Sequence, residues 1–435
     1  MSLRRDTRWW GWGDPEEVAD LGPAAEAMLT ERGILPDVAP DPPSLDRIRL
    51  DPPESLPDSI AGIVGKDNVH TGHEDRVRHA AGHSYLDLLE LRSGDLSRAP
   101  DAVITPPSVE TIRPLLEICS ESGIAVVPYG GGTSVVGGVA PLRGRFDRLI
   151  SLDLANLRRF ELDRISMTAR LGAGLRGSEA EELLSEAGFT LGHFPQSFEF
   201  ATVGGFAATR SAGQASSGYG RFDSLVSSVG LVSPAGELST LQTPHTAIGP
   251  SIRELVIGSE GVFGVIPEVE VRVRPAPEAR RYEGWMAESF ESGSEIVRAL
   301  AQSGALPAVI RVSDESETEV SLATSLPDGM AGALFRRYLR LRGRSGGVLM
   351  IIGFEGSADD VRRQKARATT ALKNGGAIRL GQSAGRGWEQ GRFHGPYLRE
   401  ALLDRGVVVE TLETAQQWSG HQALYRETTA AIRSG

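Results

Sequence analysis

The chain is poor in several residue types, and each scarcity excludes a class of protein. Its 435 residues include one cysteine, Cys119, so no internal disulfide framework can form and a reducing compartment is expected. Cys119 follows the apolar helical pattern over 112–118, which indicates a buried structural thiol. No apolar run reaches the length of a membrane span or of a signal core, and the expected location is cytoplasmic.

Positive charge and metal-type motifs are scarce as well. The chain has 57 acidic and 46 basic residues, and its formal net charge of -11 argues against a nucleic-acid partner. The histidines His70, His73, His79 and His83 lack the H-E-x-x-H spacing, so we predict no metal site and interpret them as surface or supporting residues. No Walker lysine follows a glycine loop and no G-x-S-x-G occurs, which excludes P-loop hydrolysis and disfavours serine or zinc hydrolysis.

Glycine, in contrast, is abundant, with 52 residues. The densest stretch is 128–134, Pro-Tyr-Gly-Gly-Gly-Thr-Ser, which follows a short β-branched run. Consecutive glycines allow positive φ and expose successive amides, so this stretch suits a phosphate or pyrophosphate, with Thr133 and Ser134 as further donors. A plain hairpin or loop is the alternative for this stretch taken alone.

Other glycine-rich stretches follow it. Residues 172–177 match G-x-G-x-x-G between a predicted strand and a predicted helix, which is the pattern of a Rossmann dinucleotide site. The acidic residue at the expected distance, Glu199, lies in a loop-like context, so we interpret this motif as a structural turn. The small residues of 202–213 would let a backbone approach a flat ring, and 258–266 is a further glycine-punctuated loop.

The hydrophobic periodicity predicts alternating strands and helices. Strands are predicted at 102–104, 124–127, 149–152, 167–171, 228–233 and 268–273, and helices at 108–122 and 179–187. After Pro275 the composition changes. Helices at 291–303, 332–342 and 358–374 and strands at 308–312 and 347–353 then predict a second, α+β region.

Four glycine-and-hydroxyl loops in this order resemble the FAD-binding domain shared by vanillyl-alcohol oxidase, p-cresol methylhydroxylase and D-lactate dehydrogenase relatives. Within that superfamily the chain is most similar to the alkyldihydroxyacetonephosphate synthase family. The motifs that carry the likeness are Arg8-Trp9-Trp10-Gly11-Trp12-Gly13, 128–134, 192–205 (Gly-His-Phe-Pro-Gln-Ser-Phe-Glu-Phe-Ala-Thr-Val-Gly-Gly) and 260–266 (Glu-Gly-Val-Phe-Gly-Val-Ile). The likeness extends from near the N-terminus to about residue 425.

The resemblance implies an α+β fold with a two-lobed PCMH-type FAD-binding domain followed by an incomplete α+β cap or substrate domain. The implied boundaries are 1–98 for an N-terminal extension and the start of the FAD domain, 99–275 for the FAD-binding domain, and 276–435 for the cap domain.

The resemblance also implies FAD that is not covalently attached. Some relatives attach the flavin to a histidine beside the glycine loop, and Tyr129 stands at that position here. The residues that the resemblance places on FAD are Pro128, Tyr129, Gly130, Gly131, Gly132, Thr133, Ser134, Gln196, Ser197, Phe198, Glu199, Phe200, Ala201, Thr202, Thr209, Arg210, Ser211, Ala212, Glu260, Gly261, Val262, Phe263, Gly264, Val265 and Ile266.

Two arginines match family residues: Arg311 matches an arginine that is important for activity, and Arg399 matches one that contacts substrate. Arg311 and Arg399 would bind the phosphate of a dihydroxyacetone phosphate headgroup, which suits the guanidinium fork, and the alternative for each is a surface ion pair. The family's later segment, with a catalytic tyrosine and a His-His-His-Gly motif, is not found before Gly435. The catalytic residues are therefore left unassigned, and we expect either a fragment or truncated gene product or an active site that is built differently.

Three functions follow from the resemblance. The first is exchange of the acyl group of acyl-dihydroxyacetone phosphate for a fatty alcohol, through the flavin N5, in ether-lipid synthesis. The second is an FAD-dependent dehydrogenase of a 2-hydroxy acid such as D-lactate or glycolate, and the third is a flavin-binding protein without catalysis. The expected partner is a small-molecule or lipid-like phosphate substrate. Contact with a membrane surface and assembly into a homodimer are both left open. The tryptophans of 9–12 would either pack on another domain or lie at a membrane interface, and packing is favoured.

Overall fold

The structure is a computed structural model that describes residues 3, 6–16, 20–94, 96, 98–243, 246–325 and 330–434. The chain forms two compact units. Unit 1 contains Met1–Ala19, Ala39–Ala276 and Phe393–Asp404, and unit 2 contains Asp20–Val38, Pro277–Arg392 and Arg405–Gly435. None of the helices in the described ranges is long and apolar enough to cross a membrane.

The secondary structure mixes helices and strands throughout, as the α+β prediction requires. The helices are α1 (Pro23–Glu31), α2 (Asp58–Val64), α3 (His73–Arg78), α4 (Tyr85–Ser93), α5 (Ile112–Glu121), α6 (Gly177–Glu186), α7 (Val203–Thr209), α8 (Ser216–Tyr219), α9 (Phe222–Leu225), α10 (Ile252–Val256), α11 (Phe290–Gln302), α12 (Glu315–Ser325), α13 (Met330–Leu341), α14 (Ala358–Asn374), α15 (Gln382–Gly391), α16 (Gly395–Leu403) and α17 (Trp418–Ser434). The strands are β1 (Val69–His70), β2 (Ala102–Ile104), β3 (Ile124–Tyr129), β4 (Arg148–Asp153), β5 (Phe160–Asp163), β6 (Thr168–Gly172), β7 (Phe189–Thr190), β8 (Val226–Ser233), β9 (Gly236–Ser239), β10 (Glu268–Arg272), β11 (Arg274–Pro275), β12 (Ala279–Ala287), β13 (Val309–Val312), β14 (Val348–Gly356) and β15 (Ile378–Gly381).

The first sheet of unit 1 positions the glycine loop. Its order is β1-β2-β4-β3, with β2, β4 and β3 parallel. Helix α5 buries Ile112, Leu115, Leu116 and Cys119, a spacing that puts all four on one apolar face. Burial raises the pKa of the Cys119 thiol to about 12, which confirms a structural role. Strand β3 then ends at Tyr129, where the glycine loop begins.

The second sheet of unit 1 is antiparallel, in the order β5-β6-β10-β8-β9. Helices α6 and α7 contribute to its core. The motif at 172–177 joins β6 to α6, where a Cβ on Gly172 or Gly174 would clash with the carbonyl oxygens of Leu157 and Leu154. Because β6 is antiparallel to both neighbours, it cannot belong to a parallel Rossmann unit, and the structural-turn interpretation is confirmed. Strands β7 and β11 form a separate antiparallel pair.

Unit 2 is built on one antiparallel sheet, in the order β13-β14-β12-β15. Residues of α11 and α14 share a core with β12 and β14 that includes Trp285, Leu300 and Leu372. Met286 and Ile378 cluster with Leu339 of α13. The sequence patterns did not predict β12 or β15, which complete this sheet.

One helix of the C-terminal half belongs to unit 1. The predicted cap domain runs over 276–435, but the structure places Phe393–Asp404, which includes α16, in unit 1. Glu400 of α16 is fully buried and accepts a hydrogen bond of 2.6 Å from Arg92, whose guanidinium also donates to Asp404 at 2.6 Å. This paired charge network fixes α16 against α4.

Candidate cofactor site

The glycine loop presents a row of free backbone donors. Within the part of the chain that the structure describes, the amides of Gly130 to Ser134 donate no hydrogen bond to the protein. Gly132 has a φ of 67°, in the left-handed region that favours glycine. Successive free amides in such a turn form a concave site for an anion.

The three glycines are required because a second loop lies directly on them. A Cβ on Gly130 would clash with the Thr202 hydroxyl, and a Cβ on Gly131 would clash with the Phe200 carbonyl. A Cβ on Gly132 would meet the Tyr129 hydroxyl. Thr202 also caps α7, since its Oγ1 accepts the Gly205 amide at 3.3 Å. The predicted segment 196–202 therefore packs on the predicted glycine loop.

A third predicted loop reaches the same place. A Cβ on Gly261 would lie 3.2 Å from Cγ of Pro128, so the segment 260–261 lies beside the start of the glycine loop. Glu260 has a φ of 49°, an unusual value for a residue with a side chain. Its amide donates to the Ala208 carbonyl at 3.0 Å, which ties this segment to the end of α7.

Arg210 has a structural task. Its Nε donates to the Ile257 carbonyl at 2.9 Å, and its guanidinium pairs with Asp223 at 3.3 Å and Glu254 at 3.2 Å. These contacts fix the segment that leads into 260–266, so Arg210 shapes the site through its neighbours. The Thr209 hydroxyl donates to the Gly205 carbonyl at 3.0 Å, and Ala212 is exposed.

Ser211 is also engaged by the protein. Its Oγ lies 3.0 Å from Nε2 of His193, a ring buried between Phe206 and Phe222. Burial lowers the pKa of His193 to about 3, so this imidazole remains neutral at physiological pH.

The remaining predicted residues fall into three environments. Val262 and Phe263 are 81% and 53% exposed, and Gly264 has a φ of 145°. Ala201, Val265 and Ile266 are buried in hydrophobic clusters. The side chains of Gln196 and Glu199 accept hydrogen bonds from the Gln214 amide group at 3.0 Å and from the Tyr397 hydroxyl at 2.9 Å. The Ser197 carbonyl accepts hydrogen bonds from the backbone amides of Phe200 and Ala201. The Phe198 ring stacks on the Phe393 ring, with centroids 5.2 Å apart.

Beneath the glycine loop lies a buried polar group that the motifs did not predict. The Tyr129 hydroxyl donates to the Arg78 carbonyl at 3.0 Å, and its ring contacts His79 with centroids 4.3 Å apart. His79 is 4% exposed, so the surface interpretation is wrong for this residue. Its two ring nitrogens face the Asp153 carboxylate at 3.1 Å and the Asp75 carbonyl at 2.8 Å. These two contacts fix the orientation of the His79 ring beneath the glycine loop.

The two predicted substrate arginines lie in different units. Arg399 is on α16 in unit 1, is 19% exposed, and donates to the His83 carbonyl and to Glu400, both at 3.2 Å. Arg311 is on β13 in unit 2, is 47% exposed, and lies 3.9 Å from Glu317. In the described ranges, no group of three acidic, histidine or cysteine side chains could hold a metal ion.

Comparison with protein families identifies the ligand of these loops. The profile of the "FAD binding domain" family matches residues 100–242, and that of "FAD linked oxidases, C-terminal domain" matches residues 276–435. Both matched families are FAD-linked, as the resemblance to the PCMH-type superfamily predicts. Its cofactor is therefore FAD. The free amides of Gly130 to Ser134 and the close packing around them fit the pyrophosphate of that cofactor.

The similar proteins narrow the position of the chain within this superfamily. The alkyldihydroxyacetonephosphate synthase of Dictyostelium discoideum is 29% identical over 98% of this chain and 76% of its own length. That of Trypanosoma brucei brucei is 32% identical over 84% of this chain and 62% of its own length. A solved alkyldihydroxyacetonephosphate synthase structure matches 98% of this chain and 83% of its own with a TM-score of 0.87 and 28% identity. In contrast, the mitochondrial D-lactate dehydrogenase of Arabidopsis thaliana matches 52% of this chain at 29% identity.

Proposed function

We propose that this flavoprotein is an enzyme of the alkyldihydroxyacetonephosphate synthase type. The reaction converts an acyl-dihydroxyacetone phosphate and a fatty alcohol into the alkyl ether and a fatty acid, so that the alcohol oxygen replaces the ester oxygen on the glycerone carbon. FAD, when bound, supplies an electron sink for that carbon without net redox change.

The observation that carries the proposal is the extent of the likeness. The synthase similarity covers 98% of the chain at 29% identity and includes both units. The similarity to D-lactate dehydrogenases covers 52% of the chain at 29% identity in one relative and 72% at 23% identity in another. A likeness that includes the region after the FAD-binding domain favours the synthase, because specificity in this kind of fold lies outside the cofactor loops.

Arg399 is the residue that we assign to the substrate phosphate. Its guanidinium is held by the His83 carbonyl and Glu400, while its Nε is buried and has no partner among the described residues. A buried donor without an acceptor is costly, and a phosphate oxygen is the acceptor that a guanidinium prefers. Glu400 retains its bond to Arg92 when Arg399 is changed, so the helix keeps its anchor.

The test is direct assay of the FAD-loaded protein. Acyl-dihydroxyacetone phosphate and a labelled fatty alcohol should yield labelled alkyl-dihydroxyacetone phosphate and free fatty acid. Flavin bleaching by D-lactate or glycolate under anaerobic conditions, without ether product, would instead establish the dehydrogenase. No response to either substrate would favour a binding protein without catalysis.

The Arg399→Ala variant should bind the phosphate substrate about 10- to 100-fold more weakly, since a hydrogen bond to a charged group contributes about 1.5–3 kcal/mol. Its FAD content should remain unchanged. Arg113→Ala is the matched control, because Arg113 is an exposed arginine that pairs with Glu117 on α5. Equal substrate affinity in Arg399→Ala and Arg113→Ala would exclude Arg399 from the phosphate site.

A further inference from the structure

Unit 1 contains a cavity of about 60 Å³ that adjoins the glycine loop. Part of its wall is Gly130, Gly131 and Phe200, which belong to the predicted cofactor loops. Most of the rest comes from the segment Thr7–Gly13, here called the N-terminal strap, and from residues 78–83. Leu91, Tyr129, Asp153 and Arg176 complete the wall.

Three nitrogen atoms on this wall are buried and lack a partner. They are Nε1 of Trp12, Nδ1 of His83 and Nε of Arg176, and within the described ranges none contacts an acceptor. Trp12 is 3% exposed, and its ring lies 5.7 Å from that of His83. Burial and the Arg399 guanidinium lower the pKa of His83 to about 3, so the neutral ring can carry its one proton on Nδ1.

These atoms form a set of donors without acceptors. The free amides of Gly130 and Gly131 lie on the same wall. A buried donor left unsatisfied destabilises the fold, so several in one cavity require a ligand rich in acceptor oxygens.

The charge of the wall favours an anion. Arg8, Arg78 and Arg176 line the cavity, and the lining carboxylate that the structure describes, Asp153, is hydrogen-bonded to His79. Each of these arginines has a carboxylate partner off the wall, in the pairs Arg8–Asp404, Arg78–Glu74 and Arg176–Asp6. These pairs hold the guanidinium groups in place around the cavity.

The strap is fixed to the loops that it covers. The Thr7 carbonyl accepts a hydrogen bond of 2.8 Å from Arg78, and the Trp12 ring meets Phe200 edge to face at 4.8 Å. Gly11 and Gly13 lie where a side chain would clash with Glu400 and with Tyr397. The strap sequence therefore needs glycines beside Trp12 to place its indole on this wall.

We propose that Trp12, His83 and Arg176, with the amides of Gly130 and Gly131, form a phosphate subsite closed by the N-terminal strap, and that its occupant is the FAD pyrophosphate. The cavity has room for about four or five water-sized groups, which suits one phosphate group of the pyrophosphate and excludes a flavin ring. This inference rests on the FAD cofactor and is independent of the transferase activity.

The experiment compares two tryptophan variants of the full chain freed of flavin. Trp12→Phe removes the indole N–H and keeps an aromatic ring. Trp418→Phe is the matched control, because Trp418 is 40% exposed on α17 in unit 2 and lies outside the strap and the cavity wall. Titration with FAD and with riboflavin, followed by flavin fluorescence, should show an FAD Kd about 10-fold higher in Trp12→Phe. The riboflavin Kd of Trp12→Phe, and both constants of Trp418→Phe, should be unchanged.

Other results would overturn the assignment. An equal loss of riboflavin and FAD affinity would mean that Trp12 contacts the flavin ring. The FAD Kd could stay unchanged while the FAD-loaded variant binds dihydroxyacetone phosphate about 10-fold more weakly, and this result would assign the subsite to a substrate phosphate. Unchanged affinity for both FAD and dihydroxyacetone phosphate would mean that the cavity is not a phosphate subsite. Should Trp12→Phe fail to fold, His83→Phe removes another donor of the set and should give the same pattern.

Discussion

At the scale of single residues, a buried carboxylate ties the start of the chain to the first sheet of unit 1. Asp101 is fully buried, accepts two hydrogen bonds from Arg143 at 2.7 and 2.8 Å, and accepts the amides of Glu54 and Leu149. Burial acts to raise its pKa, but the Arg143 guanidinium and the two amides outweigh burial and hold the pKa of Asp101 below its usual value.

This arrangement predicts a pH-dependent stability. Because the folded pKa is lower than the unfolded pKa of about 3.9, the stabilisation is present above pH 4 and is lost as the pH falls through the folded value. Asp101→Asn should lower the free energy of unfolding by about 3 kcal/mol at pH 7, since it leaves Arg143 without its charge partner, and by less at pH 3.

Urea unfolding at the two pH values measures this difference. Asp41→Asn is the control, because Asp41 is an exposed carboxylate paired with Arg47 and should change stability by less than about 0.5 kcal/mol. An Asp101→Asn effect of equal size at pH 7 and pH 3 would contradict the assigned role of the charge.

At the scale of elements, the contact between the glycine loop and 200–202 sets the fit of the cofactor site. Gly131→Ala should abolish FAD retention, because the added Cβ would clash with the Phe200 carbonyl and separate the two loops. Flavin absorbance per protein after gel filtration measures the loss. Gly137→Ala is the control: Gly137 has a φ of 73° but open space around it, so the change costs about 1 kcal/mol of strain and should leave FAD bound. Full flavin content in Gly131→Ala would mean that the loops tolerate separation.

The same elements show how much the sequence could predict. Hydrophobic spacing directly predicts helix α5 and strand β3. Three consecutive glycines predict a loop with free amides, because few other structures require three glycines in a row. The sequence could not predict that Trp12 and His83 lie beside those amides. Hydrophobic periodicity reports local structure and carries no information on contacts between residues more than 40 positions apart. The glycines on either side of Trp12 were the available signal, since each marks a close approach by α16.

A sequence motif also does not distinguish residues that contact the cofactor from residues that hold the cofactor loops in place. Arg210 and Val265 both lie within stretches typical of FAD loops, yet the guanidinium of Arg210 holds a neighbouring segment and the Val265 side chain is in the core. The family pattern retains such residues because the backbone that they position carries the donors. The structural roles of Arg210 and Val265 follow from their contacts with Ile257 and Val232, respectively, and these contacts form only in the folded chain.

At the scale of the whole molecule, the glycine loop Pro128–Ser134 and the two loops that pack on it all lie in unit 1. FAD at 100 times its Kd should therefore stabilise unit 1 by about 2.7 kcal/mol. Hydrogen exchange followed by mass spectrometry should show slower exchange in 128–134 and in α7 after FAD is added, with no change in β14 of unit 2. Protection confined to unit 2 would contradict the site.

The path of the chain has a consequence for recombination. Unit 1 takes Phe393–Asp404 from a stretch whose flanking residues belong to unit 2, and unit 2 takes Asp20–Val38 from the N-terminal region. No single crossover in the gene can therefore exchange one unit and leave the other whole. A chimaera joined at residue 276 would combine the Gly11 and Gly13 of one parent with the Glu400 and Tyr397 of the other. Hybrids of two homologous genes joined at that residue should therefore bind flavin only when the strap and α16 come from the same parent.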